Sequence, residues 1–240
     1  MHAPEYLDVL ATLTEPGLFD SDTVVSETSW TAALLAAGIA MEAAETGAFA
    51  LVRPPGHHAR PRTAMGFCLV NNVAVAVRHM QAEHGVGRVA IVDYDVHHGN
   101  GTQEIFWADD TVLFVSLHQW PFYPGTGGPD EQSDTTVNVP LSAGAGDEEY
   151  VLAFDQKVVP AVERFDPELL LVSAGFDAHE KDPLAQMRVS ADGFRELSSR
   201  CAALAPRVAA ILEGGYNIET LPGLVTAALE GFSSEKTTAG

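Results

Sequence analysis

Asp93, Asp95 and His97 alternate at a spacing of two, and Asp177 stands in a second polar stretch, Ser173-Ala174-Gly175-Phe176-Asp177-Ala178-His179. On an extended segment, residues two apart point to the same side. Asp95 and His97 can therefore grip one metal ion, with Asp177 as a third ligand. Two carboxylates and one imidazole leave positions open for water and substrate, as a catalytic zinc requires. Fe(II) or Co(II) suits the same ligands. Asp93 is expected one step deeper, behind the ligands or on a monovalent cation. Each residue alone reads more simply as a loop cap or surface charge, and it is the trio that points to a metal.

The tandem His57-His58 follows Pro54-Pro55-Gly56. Prolines restrict the backbone and can hold both imidazoles toward one crevice. Imidazoles move protons near neutral pH. One can take a proton from metal-activated water and one can give it to a departing amine. Gly214-Gly215-Tyr216 lets the backbone approach a ligand closely, and the phenol can donate to a developing oxyanion. Taken singly, the histidines fit an incidental surface pair or further metal ligands, and the tyrosine fits a packed ring. Gly66-Phe67 and Tyr123-Pro124-Gly125-Thr126-Gly127 are either turns with packed aromatics or the walls of a channel.

Five polar groups, those of His57-His58, Asp93 to His97, His118 with Tyr123, Asp177, and Tyr216, each follow a short apolar run, at 48–52, 89–92, 112–117, 169–172 and 208–212. Unbroken apolar runs suit strands of a parallel sheet covered on both faces. Helical patterns lie between them at 31–45, 72–83, 147–164 and 191–205. The third opens with acidic residues, as a helix start prefers, and Ser190 stands ready to cap the fourth. The alternation predicts an α/β fold, a single-domain parallel β-sheet flanked by helices over 1–240. Ligands bind such sheets at the carboxyl ends of the strands, so all five polar groups, His118 included, are expected to converge on one crevice.

Thirteen Lys and Arg against thirty-three Asp and Glu, a formal net charge of −20, argue against the basic face that direct nucleic-acid binding needs. The charge favours a cationic substrate or product, and serves solubility equally well. No apolar run reaches the roughly 20 residues of a membrane helix. The first residues lack a signal-peptide pattern, and Cys68 and Cys201 form no disulfide framework. A cytoplasmic location is expected, and the oligomeric state is not readable.

Arg53-Pro54-Pro55-Gly56-His57-His58-Ala59, Gly66-Phe67-Cys68 with Asn71-Asn72, residues 93–102, Ser116-Leu117-His118 with the Tyr123 segment, residues 173–179 with Asp182-Pro183-Leu184, and Glu213-Gly214-Gly215-Tyr216-Asn217 occur in that order. The set resembles the histone deacetylase superfamily from Asp22 to Leu229. It is nearest the class II branch and bacterial relatives such as acetylpolyamine amidohydrolases and acetoin-utilisation proteins. The resemblance implies an arginase–deacetylase fold and a zinc held by Asp95, His97 and Asp177. It implies proton transfer by His57 and His58, oriented by Asp93 and Asn100, and a carbonyl polarised by Tyr216. It further implies a channel lined by Gly66, Phe67 and Tyr123 with Leu184 at its mouth, and Asp22 at the rim. A structural potassium is implied around Asp93, Asp95, His97, Ser116 and Leu117, partly through main-chain carbonyls.

Family members usually carry several dozen more residues before the region resembling Tyr6. The chain is therefore expected to lack the usual N-terminal segment, as a fragment, a start-site error or a minimal form. Leu184 stands where a polyamine-selective branch carries glutamate. The activity expected is hydrolysis of acetyl-lysine, in a peptide or protein, or of another N-acyl amine to free amine and acetate. The alternatives are a hydrolase of acetylpolyamines or small acylated metabolites, and a non-catalytic acyl-amine binding remnant.

Overall fold

Successive strand residues point to opposite faces, so an apolar run without alternation needs a hydrophobic layer on each side. The computed structural model describes residues 1–234 and contains both layers; 235–240, the tail of the expected domain, lie outside the described residues. In chain order the elements are α1 (Pro4–Ala11), β1 (Gly17–Leu18), β2 (Val24–Val25), α2 (Ser29–Thr46), β3 (Phe49–Ala50), α3 (Asn72–His84) and β4 (Val89–Asp93). Then follow α4 (Asn100–Phe106), β5 (Val112–Gln119), β6 (Thr136–Leu141), α5 (Asp147–Ala153), a π-turn (Phe154–Val158), α6 (Val159–Phe165), β7 (Leu169–Ala174), α7 (Ala191–Ala203), β8 (Val208–Leu212) and α8 (Leu221–Phe232).

Six strands form one parallel sheet in the order β3-β8-β7-β4-β5-β6. Ala90, Val92, Leu113, Val115, Leu170 and Val172 pack to one side, against Phe154, Val162, Phe194 and Leu197. Their neighbours Val89, Ile91, Val112, Phe114, Leu169 and Leu171 pack to the other, against Ala40 and Ala43 of α2 and Val77 and Met80 of α3. This is the α/β class with a parallel sheet that the alternation predicted. From β4 the chain moves outward through β5 to β6. It then returns beside β4 as β7 and moves the other way to β8. The strand order reverses between β4 and β7, the place where an open sheet leaves a crevice.

The local signals worked where side chains and backbone agree. Asn71 Oδ1 accepts the Ala74 N–H at 3.0 Å at the start of α3, and Gly85, at φ 65°, ends it. Ser190 Oγ caps α7 by accepting the Gly193 N–H. Two expectations needed correction. The 147–164 helix contains a π-turn just before Pro160, whose missing N–H removes one regular helix bond. The 48–52 strand pairs only over Phe49–Ala50, because the chain turns toward Pro54 and Pro55 and leaves Leu51 exposed. Strand β6 was not foreseen. It contains Asn138 and Pro140, which weaken a strand reading and are tolerated here because β6 is an edge. Among the described residues, no helix is long and apolar enough to cross a membrane.

Candidate active site

Asp93 ends β4, and the chain then leaves the strand. Two successive turns replace the extended segment expected from the spacing. Asp93 Oδ1 accepts the Asp95 N–H at 3.1 Å, and Asp95 Oδ1 accepts the His97 N–H at 2.9 Å. Each carboxylate thus folds the backbone two residues on. Asp177, beyond β7, accepts the Val96 N–H at 3.0 Å and thereby ties the two strand ends together. His97 Nδ1 lies 3.1 Å from Asp95 Oδ1 and 3.0 Å from Asp177 Oδ2. One donor atom each from Asp95, His97 and Asp177 falls within 4.8 Å of the other two, and all three residues are buried.

Glycines make room for this set. A Cβ on Gly214 would overlap both the Asp177 and the Asp95 carboxylates, and one on Gly175 would overlap Asp95. The Gly214 N–H also donates to Asp95 Oδ2 at 2.7 Å. Asp93, Asp95, Asp177 and Glu213 are fully buried. Among the described residues, none of them is ion-paired with a lysine or arginine; Asp93, Asp95 and Asp177 meet histidines instead. Buried carboxylates are costly unless paired or bound to metal. The donor set therefore fits a divalent cation.

His57 and His58 stack obliquely with ring centroids 4.0 Å apart. His57 Nδ1 lies 3.0 Å from Asp93 Oδ2, and His58 Nδ1 lies 2.8 Å from Asn100 Oδ1. The Asn100 carbonyl requires the His58 proton on Nδ1, which leaves Nε2 with its lone pair. Burial lowers the His58 pKa, and the neighbouring His57 and His97 lower it further. Burial also opposes charge on His57, but the carboxylates of Asp95 and Asp93 outweigh it and raise that pKa. Two adjacent histidines are thus driven apart, one toward the neutral form and one toward the cation.

A cleft of about 330 Å³ opens above the carboxylates, lined by His58, His97, Gly66, Phe67, Tyr123, Tyr216, Phe122, Leu184 and Asp22. Phe67, Tyr123 and Leu184 are partly exposed and form its rim. Phe67 holds a φ of 66°, a left-handed conformation rare for an aromatic residue, and its N–H donates to Thr23 Oγ1. Tyr216 meets Phe67 edge to face at 5.5 Å. Burial, then the Asp177 and Asp95 carboxylates, raise the Tyr216 phenol above its usual pKa, so it remains a proton-bearing donor.

The β5 cluster departs from expectation. His118 belongs to the strand itself, bonds to Ser116 Oγ and the Gly127 carbonyl, and packs on His98 away from the cleft. Its segment reaches the cleft through Phe122 and Tyr123, with Phe122 stacked on His97 at 5.4 Å. Ser116 and Leu117 are buried in β5, and Ser116 is the register partner of Asp93.

Three residues that shape the site had no assigned role in the sequence. Glu213 accepts the N–H groups of Gly56 and His57 at 2.7 and 3.1 Å. Arg53 donates to the carbonyls of Glu213 and Gly215. Asp182 accepts the Tyr216 N–H at 2.8 Å and the Leu184 N–H at 3.0 Å. All three act on main-chain atoms. The one local signal was Asp182-Pro183, which reads as an ordinary turn.

The histone deacetylase domain family matches residues 1–232. A probable deacetylase of Archaeoglobus fulgidus is 43% identical, over 97% of this chain and 70% of its own length. The chain spans about half the length of the plant histone deacetylases it matches. The crystal structure of the HDA15 HD domain superposes with a TM-score of 0.92 at 44% identity, covering 95% of this chain and 70% of that one. An acetylpolyamine aminohydrolase from Burkholderia pseudomallei superposes with a TM-score of 0.85 at 32% identity, covering 97% and 81%. The strand order, the cleft at its reversal and the match over 1–232 lead to one assignment: the chain belongs to the histone deacetylase superfamily.

Proposed function

We propose that the chain is a zinc-dependent deacetylase that hydrolyses acetyl-lysine or a related N-acyl amine to free amine and acetate. The observation that carries this reading is the convergence of Asp95, His97 and Asp177 below a cleft whose walls hold His58 and Tyr216. Those three residues would hold the metal. A divalent cation so held supplies Lewis acidity to the acyl carbonyl and to water.

The chain's own residues supply the rest. His58 Nε2, free because Nδ1 is bonded to Asn100, accepts a proton from the attacking water and passes it to the amine nitrogen. His57 stays on Asp93, which orients its ring beside the reacting centre. The Tyr216 hydroxyl donates to the carbonyl oxygen as negative charge develops there. Phe67 and Tyr123 flank the alkyl stem of the acylated amine and keep water from it. Asp22 at the rim attracts a cationic or N–H-bearing part of the substrate. A potassium ion would be held near Asp93, Asp95, His97, Ser116 and Leu117, where β4 and β5 run side by side.

The resemblance to an acetylpolyamine aminohydrolase favours a second substrate class, small acylated amines. Leu184 gives the mouth an apolar side chain and favours lysine peptides instead. The experiment is acetate release by zinc-loaded protein from an acetyl-lysine peptide, an acetylpolyamine and an acetylated small amine, each repeated after chelation. Chelator-sensitive release is expected, greatest with the peptide. No release from any of the three by folded, zinc-bound protein would favour a binding-only remnant and overturn the proposal.

A further inference from the structure

A second set of metal-type donors sits where α2 and α3 end. Glu45 is the penultimate residue of α2, and His84 closes α3 with His79 on the same helix. His79 Nε2 lies 2.5 Å, and His84 Nε2 3.3 Å, from one oxygen, Glu45 Oε1. The two imidazole rings are 5.2 Å apart. One donor atom from each residue falls within 4.8 Å of the other two. The three come from two helices, so tertiary packing brings them together.

The electrostatics call for a cation. A helix C-terminus carries partial negative charge, and a carboxylate there is disfavoured. Glu45 occupies such a position, and the last turn of α2 holds no basic residue. The ends of two helices and one carboxylate therefore meet at this point, on a chain of net charge −20. Two imidazolium rings this close would repel each other. One divalent ion replacing the two Nε2 protons satisfies both rings and the carboxylate at once.

We propose that Glu45, His79 and His84 form a second, exchangeable site for a zinc-class divalent cation, which ties the end of α2 to the end of α3. Two imidazoles and a carboxylate are a zinc ligand set with a position left for water, and imidazole suits copper and nickel as well. Side-chain exposures of 17% for His79, 39% for His84 and 40% for Glu45 leave the ion open to exchange with solvent. The helices that carry these residues end shortly before β3 and β4 begin, so the site lies toward the amino ends of the strands. The cleft lies at the carboxyl ends.

The test is zinc stoichiometry. Chelator-stripped wild-type protein and the His79→Ala/His84→Ala variant are equilibrated with excess zinc by dialysis. Bound zinc is then read by atomic spectroscopy and folding by circular dichroism. The wild type is expected to hold one more equivalent than the variant. Only the wild type should gain further thermal stability as zinc passes the first equivalent, and acetate release should be equal in both. Equal zinc in the two folded proteins would overturn the site. Should the double variant fail to fold, His84→Gln, a single change at a partly exposed position, is scored by the same criterion.

Discussion

Carboxylates and imidazoles meet at both ends of the sheet, and the two meetings are built differently. At the carboxyl ends of β4 and β7, Asp95 and Asp177 accept main-chain N–H groups from His97, Gly214 and Val96. Glycines clear the space around them, so that a Cβ at Gly175 or Gly214 would overlap a carboxylate. Toward the amino ends, Glu45 is held by the side chains of His79 and His84, and all three reach solvent. The residue types are alike, and the backbone makes the difference. Donors fixed by main-chain bonds in a dry site are preorganised, and preorganised groups are what catalysis uses. Donors on helix ends can bind an ion, but they can also turn away from it.

Substitutions at the two ends sharpen the contrast. The largest effect is expected from Asp177→Ala, which should abolish chelator-sensitive acetate release and remove one bound zinc while the zinc at Glu45 stays. Full zinc content and full rate in that variant would falsify the assignment of Asp177 as a ligand. His58→Ala should lower kcat by about 10²–10⁴, the usual share of a general acid–base group, with zinc content unchanged. A rate near wild type would leave proton transfer to His57. Tyr216→Phe should cost about 10²–10³ in kcat, as for one oxyanion donor, again with zinc retained; steady-state kinetics on the acetyl-lysine peptide decides it.

Smaller effects compare the two ends through glycine. Gly214→Ala would press a methyl group into the Asp95 and Asp177 carboxylates. It should destabilise the fold by about 1–3 kcal/mol, the range for overpacking, and weaken zinc binding, as read by denaturant unfolding and metal titration. Gly38→Ala, on the helix that carries Glu45, meets nothing within 4 Å and should stabilise by roughly 0.5–1 kcal/mol. A destabilised Gly38→Ala would break the comparison. The smallest effect is expected from Glu45→Gln, which should leave kcat/KM unchanged in the same assay.

Much of this was legible in the residues because it was local. Runs such as 89–92 and 169–172 lack alternation, and a short strand buried on both faces suits such a run. Asn71, Gly85 and Ser190 mark helix ends through bonds within a few residues. Strand β6 was hidden because Asn138 and Pro140 oppose the local preference, and pairing to β5 outweighs it. His118 followed an apolar run and was grouped with the chemistry. Its direction depended on where β5 ends, a boundary that the apolar residues alone do not mark.

The residue types and their spacing determined the class of fold and the donors available, since strand runs, caps and Asp–His alternation act over a few positions. Only the tertiary structure decided that β7 returns beside β4. That pairing brings Asp177 to Asp95 and His97, and it gives Glu213, Arg53 and Asp182 main-chain partners far away in the sequence. The reason is physical. Every peptide offers the same donors and acceptors, so a long-range bond to the backbone leaves no mark on the residue that receives it.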